Sequence, residues 1–315
     1  MKKTLLLLLM MAHLAGSAQK IEKFFDYNWK PCDISVARYY ALIEFKDSLW
    51  SRHDYYLHER RLQMEGRYRD SACKIPEGLF HYYHTNGSME STGSYASGKR
   101  QGLWLKYHPN GMMQDSTFYV KGQPSGTSMG WHSNGYLRDS IVYMSGRSVH
   151  VGWFDNGNPS LAGIMVNDSM HGKWSFYHKN GNLSAQETYN RGTLVSRHYF
   201  DEAGQEMTDT TNRDRPAEFN GGQKAWTKYM LSKLYFPDQY KITGADRAIV
   251  IINAVIDEEG NVTDEEVSSS FHSAFDNIAL KMMKASPKWK PAISHNRKVK
   301  YYIRQPVTFA QPESD

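Results

Sequence analysis

The sequence predicts a β-rich protein of two domains, in which a tandem array of β-hairpin repeats precedes a small α+β domain with two helices on a three-stranded antiparallel sheet. Three observations support this prediction. Asn-Gly dipeptides recur at nearly constant spacing, aromatic residues alternate with other residues between them, and the pattern stops near residue 205, where helical spacing and a β-branched run follow. A chain of 315 residues is long enough for about two domains.

The composition excludes several classes of protein. With 40% hydrophobic and 23% charged residues, the chain is typical of a globular protein and not of a disordered or membrane-embedded one. The net charge of +5 falls to +3 without Lys2 and Lys3, which is too small to indicate binding to nucleic acid or to an anionic membrane.

Residues 1–18 predict a cleaved export signal. Lys2 and Lys3 precede an apolar run over 5–11, and the small residues Gly16 and Ala18 lie three and one before the expected cut at Gln19. The apolar core is shorter than the roughly 20 residues that cross a bilayer, although retention as an anchor is the alternative. No later window is long and apolar enough to span a membrane. We therefore expect an exported protein of the periplasm or cell envelope.

The repeat unit is about 24 residues long. Successive repeat glycines lie 24, 24, 22, 24 and 23 residues apart, ending at Gly204, and a second glycine series runs in phase. Because Asn-Gly accepts the positive φ angles of a type I′ turn, each dipeptide predicts a β-hairpin. The predicted turn glycines are Gly87, Gly111, Gly135, Gly157 and Gly181.

One such unit cannot bury its aromatic face alone, so the copies are expected to stack into an elongated meandering sheet. We place the repeats at residues 62–205 and interpret residues 19–61 as an N-terminal β cap.

The repeat also accounts for residues that suggest chemistry when they are considered singly. Ser128 lies in a G-x-S-x-G pattern, but Gly126 is in phase with the repeat glycines, so a nucleophile elbow is not expected. A ladder of imidazoles along the sheet is favoured over a metal or acid-base site for six recurring histidines: His81, His84, His108, His132, His171 and His178. The chain is predicted to be no enzyme and to need no metal or cofactor.

Cys32 and Cys73 are the only thiols. In an exported chain an even number of cysteines allows a disulfide, and two isolated small apolar residues are the alternative. Two cysteines without a nearby pair of histidines do not make a zinc site.

The region after the repeats is predicted to form a second domain at residues 216–315. A polar linker at 206–215 is expected to join it to the repeat array. Its order of helix, strand, strand, helix and strand predicts two helices on one antiparallel sheet. The predicted elements are helix 223–234, strand 248–256, strand 262–267, helix 272–285 and strand 299–309.

Both regions resemble known families. The pattern Gly-x-Trp-x-x-Tyr-x-x-Asn-Gly, seen at residues 102–111, resembles the variant MORN repeats found in tandem in many bacterial exported proteins. Residues 216–312 resemble the TonB C-terminal domain through motifs that coincide in order. Their landmark residues are Gly221, Gly222, Pro237, Gly260, Trp289 and Pro291.

The TonB resemblance implies a non-enzymatic binding protein of the cell envelope. Its C-terminal domain would recognise a segment of a TonB-dependent outer-membrane transporter, or another envelope partner, by β-strand addition, and the repeats would be a second protein-binding scaffold. The resemblance implies the last strand as the binding edge: Val299, Lys300, Tyr301, Tyr302, Ile303 and Arg304. The alternatives are a structural protein that binds peptidoglycan or the outer membrane, and an energy transducer whose N-terminal segment is retained.

Overall fold

The computed structural model of the chain describes residues 20–242 and 246–311. The predicted export signal at 1–18 lies outside these residues. The predicted architecture is confirmed: a sixteen-stranded antiparallel sheet precedes a small domain with two helices and a three-stranded antiparallel sheet.

The large sheet is a meander in which each strand pairs with the next one along the chain. A short 3₁₀ helix, Ile34–Val36, lies between the first two strands. The strands are β1 (Lys20–Phe25), β2 (Tyr39–Lys46), β3 (Leu49–Tyr56), β4 (Arg61–Tyr68), β5 (Pro76–Tyr83), β6 (Met89–Ala96), β7 (Lys99–Tyr107), β8 (Met113–Val120), β9 (Gln123–Trp131), β10 (Leu137–Met144), β11 (Arg147–Trp153), β12 (Pro159–Val166), β13 (Ser169–Tyr177), β14 (Leu183–Asn190), β15 (Thr193–Phe200) and β16 (Glu206–Met207).

The predicted N-terminal β cap at residues 19–61 contains β1, β2 and β3, which are the first strands of the same sheet. The predicted linker at 206–215 starts too early, because Glu206–Met207 pairs with β15 as the last strand.

The Asn-Gly turns close hairpins, but the predicted type I′ geometry is wrong for them. At the first of these turns only Gly87 has a positive φ, and its N–H donates to the carbonyl of His84. This is a type I turn followed by a left-handed glycine. Two consecutive positive φ angles occur instead at the opposite ends of the strands, for example at Lys121 and Gly122, where a two-residue turn joins β8 to β9.

Asparagine and histidine side chains connect each Asn-Gly turn to the next. Asn86 Nδ2 donates to the carbonyl of Pro109 at 2.8 Å, one repeat further along, and the same bond recurs at Asn110, Asn134, Asn156 and Asn180. In the same way, a ring nitrogen bonds the carbonyl at the end of the next repeat's strand at His84, His108, His132 and His178. His81 and His171 lie elsewhere and bond Thr92 and the backbone of Arg191.

The inner face of the sheet is packed by aromatic rings that lie directly over glycines of the preceding strand. The Trp104 indole covers Gly93, and the Trp174 indole covers Gly163, so closely that a Cβ at either glycine would overlap the ring. Each indole Nε1 then donates to a strand carbonyl at 3.0 Å. These rings lie in two separate buried clusters, one over β4–β7 and one over β13–β15.

The small domain has a central strand between two edge strands, in the order β18-β17-β21. Its helices cover one face of this sheet with a core that includes Phe275, Met283 and Val307. A short hairpin, β19–β20, was not predicted. The elements are α1 (Gly222–Lys233), β17 (Arg247–Ile256), β18 (Val262–Ser269), α2 (Ser273–Lys284), β19 (Ala292–Ser294), β20 (Arg297–Val299) and β21 (Tyr301–Ala310).

Within residues 20–242 and 246–311, neither helix is long and apolar enough to cross a membrane.

The family landmarks support this small fold. Gly221 and Gly222 both have positive φ where α1 begins. Gly260 accepts a backbone hydrogen bond from Trp289 at 2.8 Å, and a Cβ there would overlap the Trp289 carbonyl. Pro237 follows α1, and Pro291 directly precedes β19.

The tip of the β19–β20 hairpin attaches the small domain to the repeat sheet. The His295 ring stacks on Phe176 of β13, with centroids 3.7 Å apart, and its Nδ1 lies 2.8 Å from the buried Glu187 carboxylate of β14. Asn296 Nδ2 donates to the carbonyls of Ser184 and Phe200. The hairpin tip therefore bonds both side chains and backbone of the last repeats.

Arg297 extends this contact. Its side chain is 7% exposed, donates to the Ser160 carbonyl at 2.8 Å, and lies over the rings of Phe154 and Phe176. Burial lowers the pKa of Arg297 to about 10, so the guanidinium remains charged at neutral pH.

The other end of the sheet contacts the same small domain. The Arg38 guanidinium lies 4.4 Å from the centroid of the Phe271 ring, and His58 packs on that ring. Sixteen flat strands would extend about 70 Å, whereas a domain of about 100 residues has a radius of gyration near 13 Å. The sheet must therefore curve around the small domain, with its inner face towards it.

Cys32 and Cys73 are free thiols. Cys32 lies in the β1–β2 connection and Cys73 in the β4–β5 connection. In a meander these two connections lie on opposite long sides of the sheet, so the disulfide that the sequence allowed is not formed.

We expect Gly163→Ala to destabilise the protein by roughly 1–3 kcal/mol, because the added methyl overlaps Trp174 in a packed cluster. Denaturant unfolding followed by circular dichroism measures this loss. In a Trp174→Leu background the same substitution should lower the free energy of unfolding by clearly less, since the indole ring is absent. An equal cost in both backgrounds would show that the close contact with Trp174 is not the cause.

Arg297→Ala should loosen the small domain from the sheet, since it removes a buried charged hydrogen bond and two ring contacts worth about 2–3 kcal/mol together. Hydrogen exchange of residues 160–187 should accelerate, and cleavage by protease within 208–214 should increase. Lys298→Ala is the matched control, because Lys298 is an exposed neighbour that pairs only with the exposed Glu202. Such pairs contribute little. Equal exchange in both variants would contradict the attachment role of Arg297.

Candidate binding site

A cleft of about 520 Å³ separates the small domain from the middle of the repeat array. One wall is the sheet of the small domain, and the other is formed by two Asn-Gly turns and the strands beside them. The lining residues are His108, Pro109, Asn110, Gln114, Trp131, His132, Ser133, Arg138, Asn253, Ala254, Val255, Asp264, Glu265, Glu266, Lys300, Tyr302, Ile303 and Arg304.

The strand register of the small domain aligns its side of the cleft. Tyr302 lies opposite Val255, and Arg304 lies opposite Asn253. Glu266 of β18 also pairs with Asn253. Because side chains alternate along a strand, these groups share the face opposite to the helices.

The repeat side of the cleft is held by the turn ladder. The ring Nε2 of His132 lies 3.0 Å from the carbonyl of Trp153, and burial lowers the pKa of His132. A neutral ring with its proton on Nε2 fits this contact, because it donates to the carbonyl. His108 makes the same contact with Trp131 at 2.9 Å. Both rings therefore fix the turns.

The cleft carries both signs of charge. Asp264, Glu265 and Glu266 lie on the β18 side, while Lys300 and Arg304 lie on the β21 side. This separation suits a segment with polar groups of both signs and gives no strong preference for an anion or a cation.

Ion pairs hold the edges of the cleft together. Lys300 Nζ lies 2.7 Å from Asp155, and Lys179 Nζ bridges Asp155 and the buried Glu258 at 3.3 and 3.0 Å. Burial opposes ionisation of Asp155, but the hydrogen bond and charge of Lys300, with the charge of Lys179, outweigh it and lower the pKa of that carboxyl. The pairs therefore persist at neutral pH.

The predicted binding strand agrees with the structure only in its last four residues. Val299 ends β20 and pairs with Ala292, and Lys300, which pairs with Asp155, lies between β20 and β21. The edge strand begins at Tyr301 and continues through Tyr302, Ile303 and Arg304. The prediction of one continuous strand from Val299 is therefore wrong by two residues.

Strand β21 lies at the edge of the three-stranded sheet and, among the strands that the structure describes, pairs only with β17. Tyr302 is 67% exposed at this edge. Pro306 within the strand agrees with this position, since proline is confined largely to edge strands. The backbone of Tyr301–Gln305 is thus next to the cleft, on an outer strand.

The repeat side of the cleft was missed by sequence reasoning, although a signal exists. The positions of Phe80, Trp104 and Trp174 in the repeat are occupied by Ser128 and His150 in the two middle copies. Without a large ring, the inner face stays open there. Ser128 is buried within β9 and lies on no strand-to-helix turn.

Among the residues that the structure describes, no group of three or more His, Cys, Asp or Glu side chains could hold a metal ion.

Two family models match parts of the chain. Residues 232–310, from the end of α1 to β21, match the Gram-negative bacterial TonB protein C-terminal. Residues 100–121 and 170–191, which cover β7–β8 and β13–β14, match the MORN repeat variant. No match was found among curated proteins. The chain therefore combines repeats similar to the MORN variant with a C-terminal region similar to that of TonB, in the predicted order.

Proposed function

We propose that this protein is an exported, non-enzymatic binding protein of the cell envelope that captures an extended segment of a partner at the free edge of β21. This proposal rests mainly on the position of Tyr301–Gln305. These residues lie on an outer strand, beside a cleft whose opposite wall is formed by the repeats.

An edge strand has unpaired backbone N–H and C=O groups that an extended peptide can satisfy. Such pairing supplies affinity through the backbone and specificity through alternate side chains. Tyr302 and Arg304 point towards one face and would contact alternate residues of the added strand. The exposed tyrosine is a typical anchor, since Tyr and Arg are enriched where binding energy concentrates.

The repeat array is proposed as the second wall of this site. His108, Trp131 and Arg138 face the cleft from the repeats, and the β19–β20 hairpin fixes both walls relative to each other. A preformed site loses less entropy on binding than one that must assemble. The repeats would thus hold the partner's side chains while β21 pairs with its backbone.

Similarity to the TonB C-terminal over 232–310 supports an envelope partner, and the MORN variant supports a binding role for the repeats. The partner that fits both the edge and the family similarity is a short extended segment of a TonB-dependent outer-membrane transporter.

The test titrates the chain from Gln19 onward with a panel of extended peptides from transporter N-termini, using calorimetry. We expect saturable binding, and about tenfold weaker binding for Tyr302→Ala because an exposed aromatic anchor is lost. Thr308→Ala is the matched control on the same strand beyond Pro306, and it should change affinity less than twofold. Hydrogen exchange should slow at residues 301–305 when peptide is bound.

Three outcomes would contradict the proposal. Absence of saturable binding across the panel would count against a transporter segment. Binding that both variants retain would locate the site away from β21. Retention on purified peptidoglycan without peptide binding would favour a structural role at the cell wall.

A further inference from the structure

The outer face of the middle strands carries an apolar patch. Its side chains are 39–56% exposed and belong to β5, β7, β8, β9 and β10: Leu79, Leu103, Phe118, Val120, Met129, Val142 and Met144. The register places them on one face, since Leu103 lies opposite Phe118, and Ser116, two residues before Phe118, lies opposite Met129. We call this set the outer patch.

Strands β8 and β9 are inverted relative to β7 and β13. In β7 and β13, the large rings of Trp104 and Trp174 point inwards and are buried. In β8 and β9, the inward positions hold Thr117 and Ser128, whereas their neighbours Phe118 and Met129 point outwards. Polar side chains inside and apolar ones outside are the reverse of what a free outer surface favours.

The patch is also limited in extent. The last repeat strands have polar residues at the corresponding outward positions, including His171 and Lys173 of β13 and Thr188 of β14. The outward positions of β13 and β14 thus meet the demands of solvent, while those of β8 and β9 do not.

The seven residues expose roughly 600 Å² together, which is at the upper end of the 300–600 Å² of the largest patch on a typical monomer. A stable interface takes ~800 Å² from each partner, so a dimer would also bury the neighbouring residues of this face. None of the seven is charged, and their neighbours on this face include Ser94, Ser116 and Ser140. Charged side chains border the patch, since Leu79 lies beside Glu65 and Arg67, and Met144 lies opposite Arg147. Its centre, at Leu103, Phe118 and Met129, therefore has no charge with which to select an acidic or basic partner.

We propose that the outer patch is covered by the outer patch of a second copy of this chain, in a two-fold symmetric dimer. A twofold interface requires a surface complementary to itself, and an apolar sheet face with an uncharged centre meets this need by packing on its copy at about 10 Å. The clefts lie on the inner faces, so the dimer presents two separate β21 edges.

The test measures the mass of the chain from Gln19 onward by sedimentation equilibrium between 1 and 100 μM. Twice the chain mass is expected. Phe118→Asp should weaken the dimer about 100-fold or more, because it buries two unpaired charges at the interface. Val195→Asp is the matched control, since Val195 is 65% exposed on β15 outside the patch, and it should leave the dimer unchanged.

Two variants of opposite charge distinguish a disrupted dimer interface from a misfolded chain. Phe118→Lys should also be monomeric, and mixing it with Phe118→Asp should restore a dimer through opposite charges. Circular dichroism and thermal unfolding check that each variant is folded. A wild-type chain that is monomeric at 100 μM overturns the proposal, including one that binds lipid vesicles or another protein through this face. A dimer that Phe118→Asp leaves intact overturns it as well.

Discussion

A single layer of sixteen strands has two faces and no partner layer of its own, and the way each face is covered determines the rest of this structure. Sheets are stable when a second layer buries an apolar face. Here the inner face is closed partly by its own rings, which lie over Gly66, Gly93 and Gly163 where the absence of a Cβ allows contact with the backbone. The small domain covers further parts of that face and leaves the cleft between them.

The small domain packs on the parts of the inner face that the repeat rings leave uncovered. Its hairpin tip fills the end of the array near Phe176, and Phe271 contacts the other end at Arg38. In the middle of the array the small domain is bonded at the margin of the cleft, where the Ser133 hydroxyl donates to Asp264 at 3.1 Å, and the cleft remains open beside this contact. The proposed binding site is thus the part of the inner face that neither the repeat rings nor the small domain fills.

The fold was largely predictable from sequence because the repeat spacing and the helix and strand periodicities are both local patterns. Asn-Gly spacing sets strand length and turn position, and periodicity in the small domain sets the order of its elements. The turn type was wrong because Asn86 keeps a negative φ and uses its side chain to bond Ser88 and the next turn, which dipeptide preference does not show.

The docking contacts were not predictable, since they join residues far apart in sequence. Nothing local marks His295, Asn296 and Arg297 as the residues that enter the repeat sheet. The departure of Ser128 and His150 from the aromatic pattern was visible, but its meaning depends on which face each residue occupies, and a strand's faces are assigned only when its neighbours' register is known.

The residues that attach the small domain directly precede the proposed binding edge in the chain. Arg297 is fixed in the repeats by Ser160, Lys300 is fixed by Asp155, and β21 begins at the next residue, Tyr301. The contacts of Arg297 and Lys300 with the repeat array therefore fix the position of the first residues of β21. The hydrogen bonds of these residues to β17 also connect them to the small domain. Any force applied by a partner strand at this edge is transmitted to both domains, because neither alone holds the start of β21.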